Sequence, residues 1–174
     1  MINFFKALNP LSILWLAVLL FALRAGYMFH APGKIDFAFT GLFNRSLIPV
    51  TGQHAISPVF NVLLAGLFVF IQALLLNNLV NHFNLLGKPT FLPALMYITV
   101  SGLFTPFLVL SPPLVCNFLV IWMLHKLFAF YKSKDAKSPA YDLGMIVAIG
   151  SFIYLPFIYF FLVIWDRPGN FPAI

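Results

Sequence analysis

The chain has 174 residues, of which 62% are hydrophobic and 8% are charged, and its mean hydropathy is +1.00. Soluble domains carry about 25% charged residues, so this composition excludes a water-soluble domain and predicts a single membrane domain over residues 1–174. The net charge of +6 does not indicate a nucleic-acid partner, because the basic residues flank apolar runs where they would meet lipid headgroups. The single cysteine, Cys116, excludes an internal disulfide framework.

Five apolar segments predict membrane-spanning helices, since about 20 residues cross the roughly 30 Å of hydrocarbon in a bilayer. The predicted spans cover residues 11–29, 58–80, 91–110, 114–131 and 143–165. Backbone polar groups in lipid must be satisfied within the chain, so the predicted fold is an all-α transmembrane bundle. Pro106 is expected to kink the third span, and Pro156 lies inside the fifth.

Two features of the spans give further predictions: a charge in the first span and a short connection between the third and fourth. Arg24 is the one charge of the first span and lies near its end, so its side chain is predicted to snorkel to the interface. The Ser111-Pro112-Pro113 run leaves room for a tight turn only. The third and fourth spans are therefore predicted to pack side by side as an antiparallel hairpin.

The longest connection, residues 30–57, contains an amphipathic pattern. Phe39, Phe43 and Leu47 recur at helical spacing, with Asp36 on another face. Such a segment is typical of a helix that lies in the membrane interface.

The segment from Lys126 to Asp142 contains a dense group of basic residues, which predicts the orientation of the chain. Short loops rich in Lys and Arg stay on the cytoplasmic side. With the N-terminus inside, the cytoplasmic set is Lys6, Lys88, Lys126, Lys132, Lys134 and Lys137, and the outer set is Arg24, Lys34, Arg45 and Arg167. We therefore expect a multi-pass protein of the bacterial inner (cytoplasmic) membrane with a cytoplasmic N-terminus.

Polar residues inside spans are candidate functional residues. Gln72 is the deepest of them, and Asn61 lies in the same span. Together they predict a small-solute binding or transport site, against the plainer interpretation that Gln72 makes an interhelical hydrogen bond. Asn77, Asn81 and Asn84 would share a helix face beside His82 if the helix continues that far, although a solvated helix end explains them as well.

The outer loop has one acidic residue, Asp36, with the basic Arg45 near it. This arrangement resembles that of membrane glycosyltransferases that use polyprenyl-phosphate sugars. The resemblance implies Asp36 as catalytic base and Arg45 as a contact to the lipid phosphate. The plainer interpretation is an ordinary solvated aspartate.

Other site classes have weaker support in the sequence. The four histidines, His30, His54, His82 and His125, show no metal-ligand spacing, so no metal and no cofactor is predicted. Gly144 and Ala148 have the small-xxx-small spacing that allows close packing of a second helix. They are the candidate contact to other membrane subunits.

The second half of the chain resembles a family of uncharacterised polytopic inner-membrane proteins of Bacteroidota. The resemblance is carried by the KLFAFYKSKDA loop, by Tyr141-Asp142-x-Gly144, and by the span that follows. It covers roughly the last 100 residues. Family members are usually longer, so the chain resembles the N-terminal part of such a protein. The resemblance implies no particular activity.

Three functions follow from these observations. The first is an accessory or structural subunit of a cell-envelope pathway. The second is a membrane enzyme acting on a polyprenyl-phosphate sugar through Asp36 and Arg45. The third is a small-solute module centred on Gln72 and Asn61.

Overall fold

The computed structural model describes residues 10–29, 58–131 and 137–162, and within these ranges every regular element is helical. The helices are α1 (Pro10–Phe29), α2 (Pro58–His82), α3 (Leu92–Leu103), α4 (Thr105–Leu108), α5 (Pro112–Tyr131) and α6 (Lys137–Ile153), followed by a 3₁₀ helix (Leu155–Phe160). The all-α class predicted from composition is thereby confirmed. The predicted interfacial segment within residues 30–57 lies outside the described residues.

Three helices are long and apolar enough to cross a bilayer, judged by length and composition. They are the segments Leu11–Met28, Val59–His82 and Pro112–Ala129, which fall on the first, second and fourth predicted spans. The helices on the third and fifth predicted spans are shorter, with apolar segments at Leu92–Leu103 and Ala140–Ile153. The helical membrane character is thus supported by the structure, and the number of crossings stays a prediction.

The third predicted span is divided at Phe104. This residue is extended, with φ −109° and ψ 121°, and separates α3 from the four-residue α4. Pro106 explains the break, because proline donates no hydrogen bond to the carbonyl four residues earlier and its ring collides with that carbonyl. The expected kink is therefore a full interruption, and Val109 is extended again at the end of α4.

The fifth predicted span also ends early. Helix α6 stops at Ile153, Tyr154 is extended, and Pro156 lies in the first turn of the 3₁₀ helix. Proline is tolerated in a first turn because its missing N–H has no partner to lose there. The Phe157 ring then packs directly over Gly150 of α6.

The described helices enclose two hydrophobic clusters that share α5. The first cluster is formed by buried residues of α1, α2 and α3 together with Leu114 of α5. The second joins α5 to α6 and the 3₁₀ helix around Cys116, Ile146 and Phe157. Helix α6 thus packs on α5 at one edge of the bundle.

The prediction that the third and fourth spans pack side by side is wrong. Helix α3 packs on α1 and α2, whereas α5 packs on α2 and α6, so α3 and α5 do not pack along their length. The physical reason is the double break at Phe104 and Val109. It turns the chain before the Ser111-Pro112-Pro113 run is reached.

An ordered turn joins α2 to α3. Asn84 and Gly87 have positive φ angles of 53° and 70°, the left-handed conformation in which Asn and Gly are favoured. The Asn81 amide exchanges two hydrogen bonds with the backbone of Thr90, its Nδ2 donating to the carbonyl and its Oδ1 accepting from the N–H, both at 3.1 Å. Helix α2 therefore continues through Asn77 and Asn81 to His82 but stops before Asn84, and most of the turn that follows is exposed.

Candidate functional site

The polar side chains inside the bundle are held by hydrogen bonds between helices. Gln72 is fully buried on α2. Its Nε2 donates to the Leu114 carbonyl of α5 at 2.7 Å, and its Oε1 accepts from the Tyr97 hydroxyl of α3 at 2.7 Å. The Tyr97 oxygen in turn accepts from Asn117 Nδ2 at 2.7 Å.

This relay of Gln72, Tyr97 and Asn117 joins three helices. It provides the link between α3 and α5, which otherwise do not pack along their length. The sequence identifies Gln72 as a candidate, but it does not single out Tyr97 or Asn117. The hydrogen bond between Tyr97 and Asn117 depends on the direction that the chain takes after the break at Phe104. The spacing of residues in the sequence does not predict that direction.

Asn61 lies near the start of α2 and is also buried. Its Oδ1 accepts from the backbone N–H of Leu110 at 2.8 Å. Leu110 follows the extended Val109, where the chain has left helical geometry and its N–H has no intrahelical partner. Asn61 therefore anchors the connection between α4 and α5. Asn61 and Gln72 therefore have different roles, because Asn61 binds the Leu110 N–H whereas Gln72 binds the Leu114 carbonyl.

Arg24 does not snorkel to the interface as predicted. It is only 4% exposed and folds inward across α2. Its Nη1 donates to the carbonyls of Val62 at 3.3 Å and Leu108 at 3.0 Å, and its Nη2 donates to the Phe107 carbonyl at 2.6 Å. The orphan carbonyls at the end of the short α4 attract the guanidinium more strongly than the interface does.

Small residues make room for this arginine and for α1. A Cβ atom built at Gly66 would lie 3.4 Å from Arg24 Cδ, and one at Gly102 would lie 3.3 Å from Leu23 Cδ1. Such distances are ordinary or tight contacts, so the glycines let α1 approach α2 and α3 closely. The sequence alone does not distinguish these two glycines as packing residues.

The opposite end of the bundle carries an aromatic and histidine cluster. The His82 and His125 rings stack with centroids 6.2 Å apart, and the Phe83 ring meets His125 at 5.7 Å. Nearby in sequence, Asn77 is buried and its Oδ1 has no hydrogen-bond donor among the described residues. The described residues contain no group of three or more His, Cys, Asp or Glu side chains that could hold a metal ion.

The basic segment contributes one described ion pair. Lys126 Nζ lies 2.7 Å from Asp142 Oδ2, and both side chains are partly exposed. The pair joins α5 to α6 beside the loop that the positive-inside rule assigns to the cytoplasm. An exposed pair of this kind contributes about 0–1 kcal/mol, so the packing of α6 on α5 depends mainly on the buried residues of the second cluster.

The remaining predicted residues divide into two groups. Asp36 and Arg45, the predicted base and phosphate contact, lie outside the described residues. Gly144 and Ala148 lie on α6 and are not packed against the rest of the described chain: Ala148 is exposed, and a Cβ built at Gly144 meets no atom within 4 Å.

Comparison with known proteins identifies no relative. No protein-family model, no curated protein and no solved structure matches this chain.

Proposed function

We propose that this chain is a polytopic inner-membrane protein that serves as an accessory or structural subunit of a cell-envelope pathway. The observation that carries the proposal is the open face of α6. This helix packs on α5 through Leu143, Ile146 and Val147, all buried. Its other side presents Gly144 and Ala148, where the backbone of a second helix can approach closely.

The polar side chains support the same function. Gln72 uses both ends of its amide to hold α3 and α5, and Asn61 uses its oxygen to hold Leu110. A solute that bound the Gln72 amide or the Asn61 oxygen would compete with these hydrogen bonds. Their engagement within the chain therefore favours a structural role over transport.

Site-directed photocrosslinking in native membranes tests the subunit assignment. A photoreactive amino acid at Ala148 is expected to form a discrete adduct with another membrane protein. The same amino acid at Val100 of α3, which is also exposed, is expected to yield lipid adducts only. If position 148 also yields lipid adducts only, the open face of α6 contacts lipid and the proposal fails.

The proposed orientation has a separate test. In a Cys116→Ser background, Lys134→Cys is expected to resist a membrane-impermeant thiol reagent added from outside, whereas Thr40→Cys is expected to react. The reason is the concentration of Lys residues in the loop after α5, which the positive-inside rule keeps in the cytoplasm. Labelling of position 134 but not of position 40 would reverse the proposed topology.

A further inference from the structure

A groove of about 240 Å³ opens between α1 and α2. Leu20, Val62 and Arg24 line it as buried residues, and Phe21, Leu63 and Leu67 line it as exposed residues at its rim. Arg24 is the one charged residue in an otherwise apolar lining. The rim belongs to two helices that are long and apolar enough to lie in a bilayer, so the groove would open toward lipid.

The guanidinium of Arg24 has no acidic partner among the described residues. Asp142 is the one carboxylate described, and it pairs with Lys126. All three hydrogen bonds of Arg24 go to neutral carbonyls. A guanidinium has five N–H groups, so two N–H groups remain without an acceptor in the described part of the chain.

A buried positive charge in a membrane protein is unfavourable unless an anion or an aqueous cavity accompanies it. Arg24 lies five residues before the end of α1, about 7–8 Å along the axis at 1.5 Å per residue. A phosphate at headgroup depth lies within reach of that position. Phosphate also matches the geometry of a guanidinium, because its oxygens accept two parallel N–H bonds.

We infer that this groove binds one anionic phospholipid, with an acyl chain between α1 and α2 and the phosphate on Arg24. A groove of about 240 Å³ has room for part of one acyl chain. An acyl chain gains little by leaving bulk lipid for an apolar groove, since both are equally apolar. The headgroup charge therefore sets the preference among lipids.

Native mass spectrometry of the full chain in detergent, titrated with dioleoyl phosphatidylglycerol or dioleoyl phosphatidylcholine, tests this inference. One molecule of phosphatidylglycerol is expected to bind at least about fivefold more tightly, the ratio that one Arg near a membrane surface gives with an anionic lipid. Arg24→Gln is expected to bring the two lipids to parity. Ala17→Trp, which fills the groove from α1, is expected to weaken both.

Matched controls separate this site from other basic residues and other anions. Lys88→Gln, at an exposed position in the turn after α2, is expected to leave the lipid preference unchanged. Inorganic phosphate at equal concentration is expected not to compete. Competition by phosphate, or affinities for both lipids that are unchanged in Ala17→Trp, would show an anion site without an acyl chain and would overturn the inference.

One further outcome also contradicts it, and a second measurement then identifies its cause. Equal affinities of the wild-type chain for the two lipids would show that another group of the chain already neutralises the Arg24 charge. If Asp36→Asn then creates a preference for phosphatidylglycerol, the compensating group is Asp36. These two measurements do not use Arg24→Gln, so they decide the question even if that variant fails to fold.

Discussion

Arg24→Leu is expected to destabilise the folded bundle by about 2–4 kcal/mol. Leucine keeps the apolar bulk against Gly66 but leaves the Phe107 and Leu108 carbonyls buried without their donors, and each unsatisfied buried acceptor costs about 1–3 kcal/mol. Relief of the buried charge offsets part of this loss. The free energy of unfolding in mixed detergent micelles, measured by titration with a denaturing detergent, gives the change.

The control for Arg24→Leu is Lys126→Leu, which removes a cation of a partly exposed pair. We expect a change of about 0–1 kcal/mol there. Arg24→Lys keeps the charge but not the planar fork, so it is expected to lie between wild type and Arg24→Leu. If Arg24→Leu unfolds no more easily than Lys126→Leu, then the three carbonyl contacts do not hold α4 in place.

The second large effect is expected at Gly150. A Cβ atom built there would lie 2.7 Å from Cγ of Phe157 and closer still to Cδ1, so the ring or the backbone must move. Overpacking of this kind costs about 1–3 kcal/mol, although alanine has a higher helix propensity than glycine by about 1 kcal/mol. Gly150→Ala is therefore expected to lower the thermal unfolding midpoint and detach the 3₁₀ helix from α6.

A double-mutant cycle with Phe157 isolates the clash. Phe157→Ala destabilises on its own, since truncating a buried Phe in a core costs about 3–5 kcal/mol. In that background, Gly150→Ala is expected to become neutral or stabilising. Gly144→Ala on the same helix, where a Cβ meets nothing within 4 Å, is the matched control. Equal effects of Gly150→Ala with and without Phe157 would contradict the packing described.

The helical architecture follows from the sequence because it depends on composition and local pattern. The bounds of α1 and α5 match the predicted spans closely, with Pro10 in the first turn of α1. Gln72 is found in an interhelical hydrogen bond, as its plainer interpretation predicts. Each of these features is set by residues close in the chain or by the low polarity of the bilayer.

The missed features depend on contacts between distant residues. Arg24 is expected to snorkel because a single span shows only its distance from the interface. The carbonyls that hold it are 83 and 84 residues further along the chain. Likewise, Pro106 and Pro156 predict distortion but not its extent. Whether proline kinks or ends a helix depends on what satisfies the backbone groups nearby. After Pro106, Arg24 binds the Phe107 and Leu108 carbonyls and Asn61 binds the Leu110 N–H.

The separation between Arg24 and its partners has a consequence for biosynthesis. Ribosomes add about 5–20 residues per second, so the 84 residues from Arg24 to Leu108 take about 4–17 s to translate. During that interval α1 has been made and α4 has not, so the guanidinium lacks the Phe107 and Leu108 carbonyls. An arginine at the centre of an inserting helix costs about 2.5–3.5 kcal/mol at the translocon, and the cost is smaller near a helix end, where Arg24 lies. We therefore expect α1 to stay at the translocon, or to insert with Arg24 at the lipid surface, until the segment around Leu108 emerges and draws it inward.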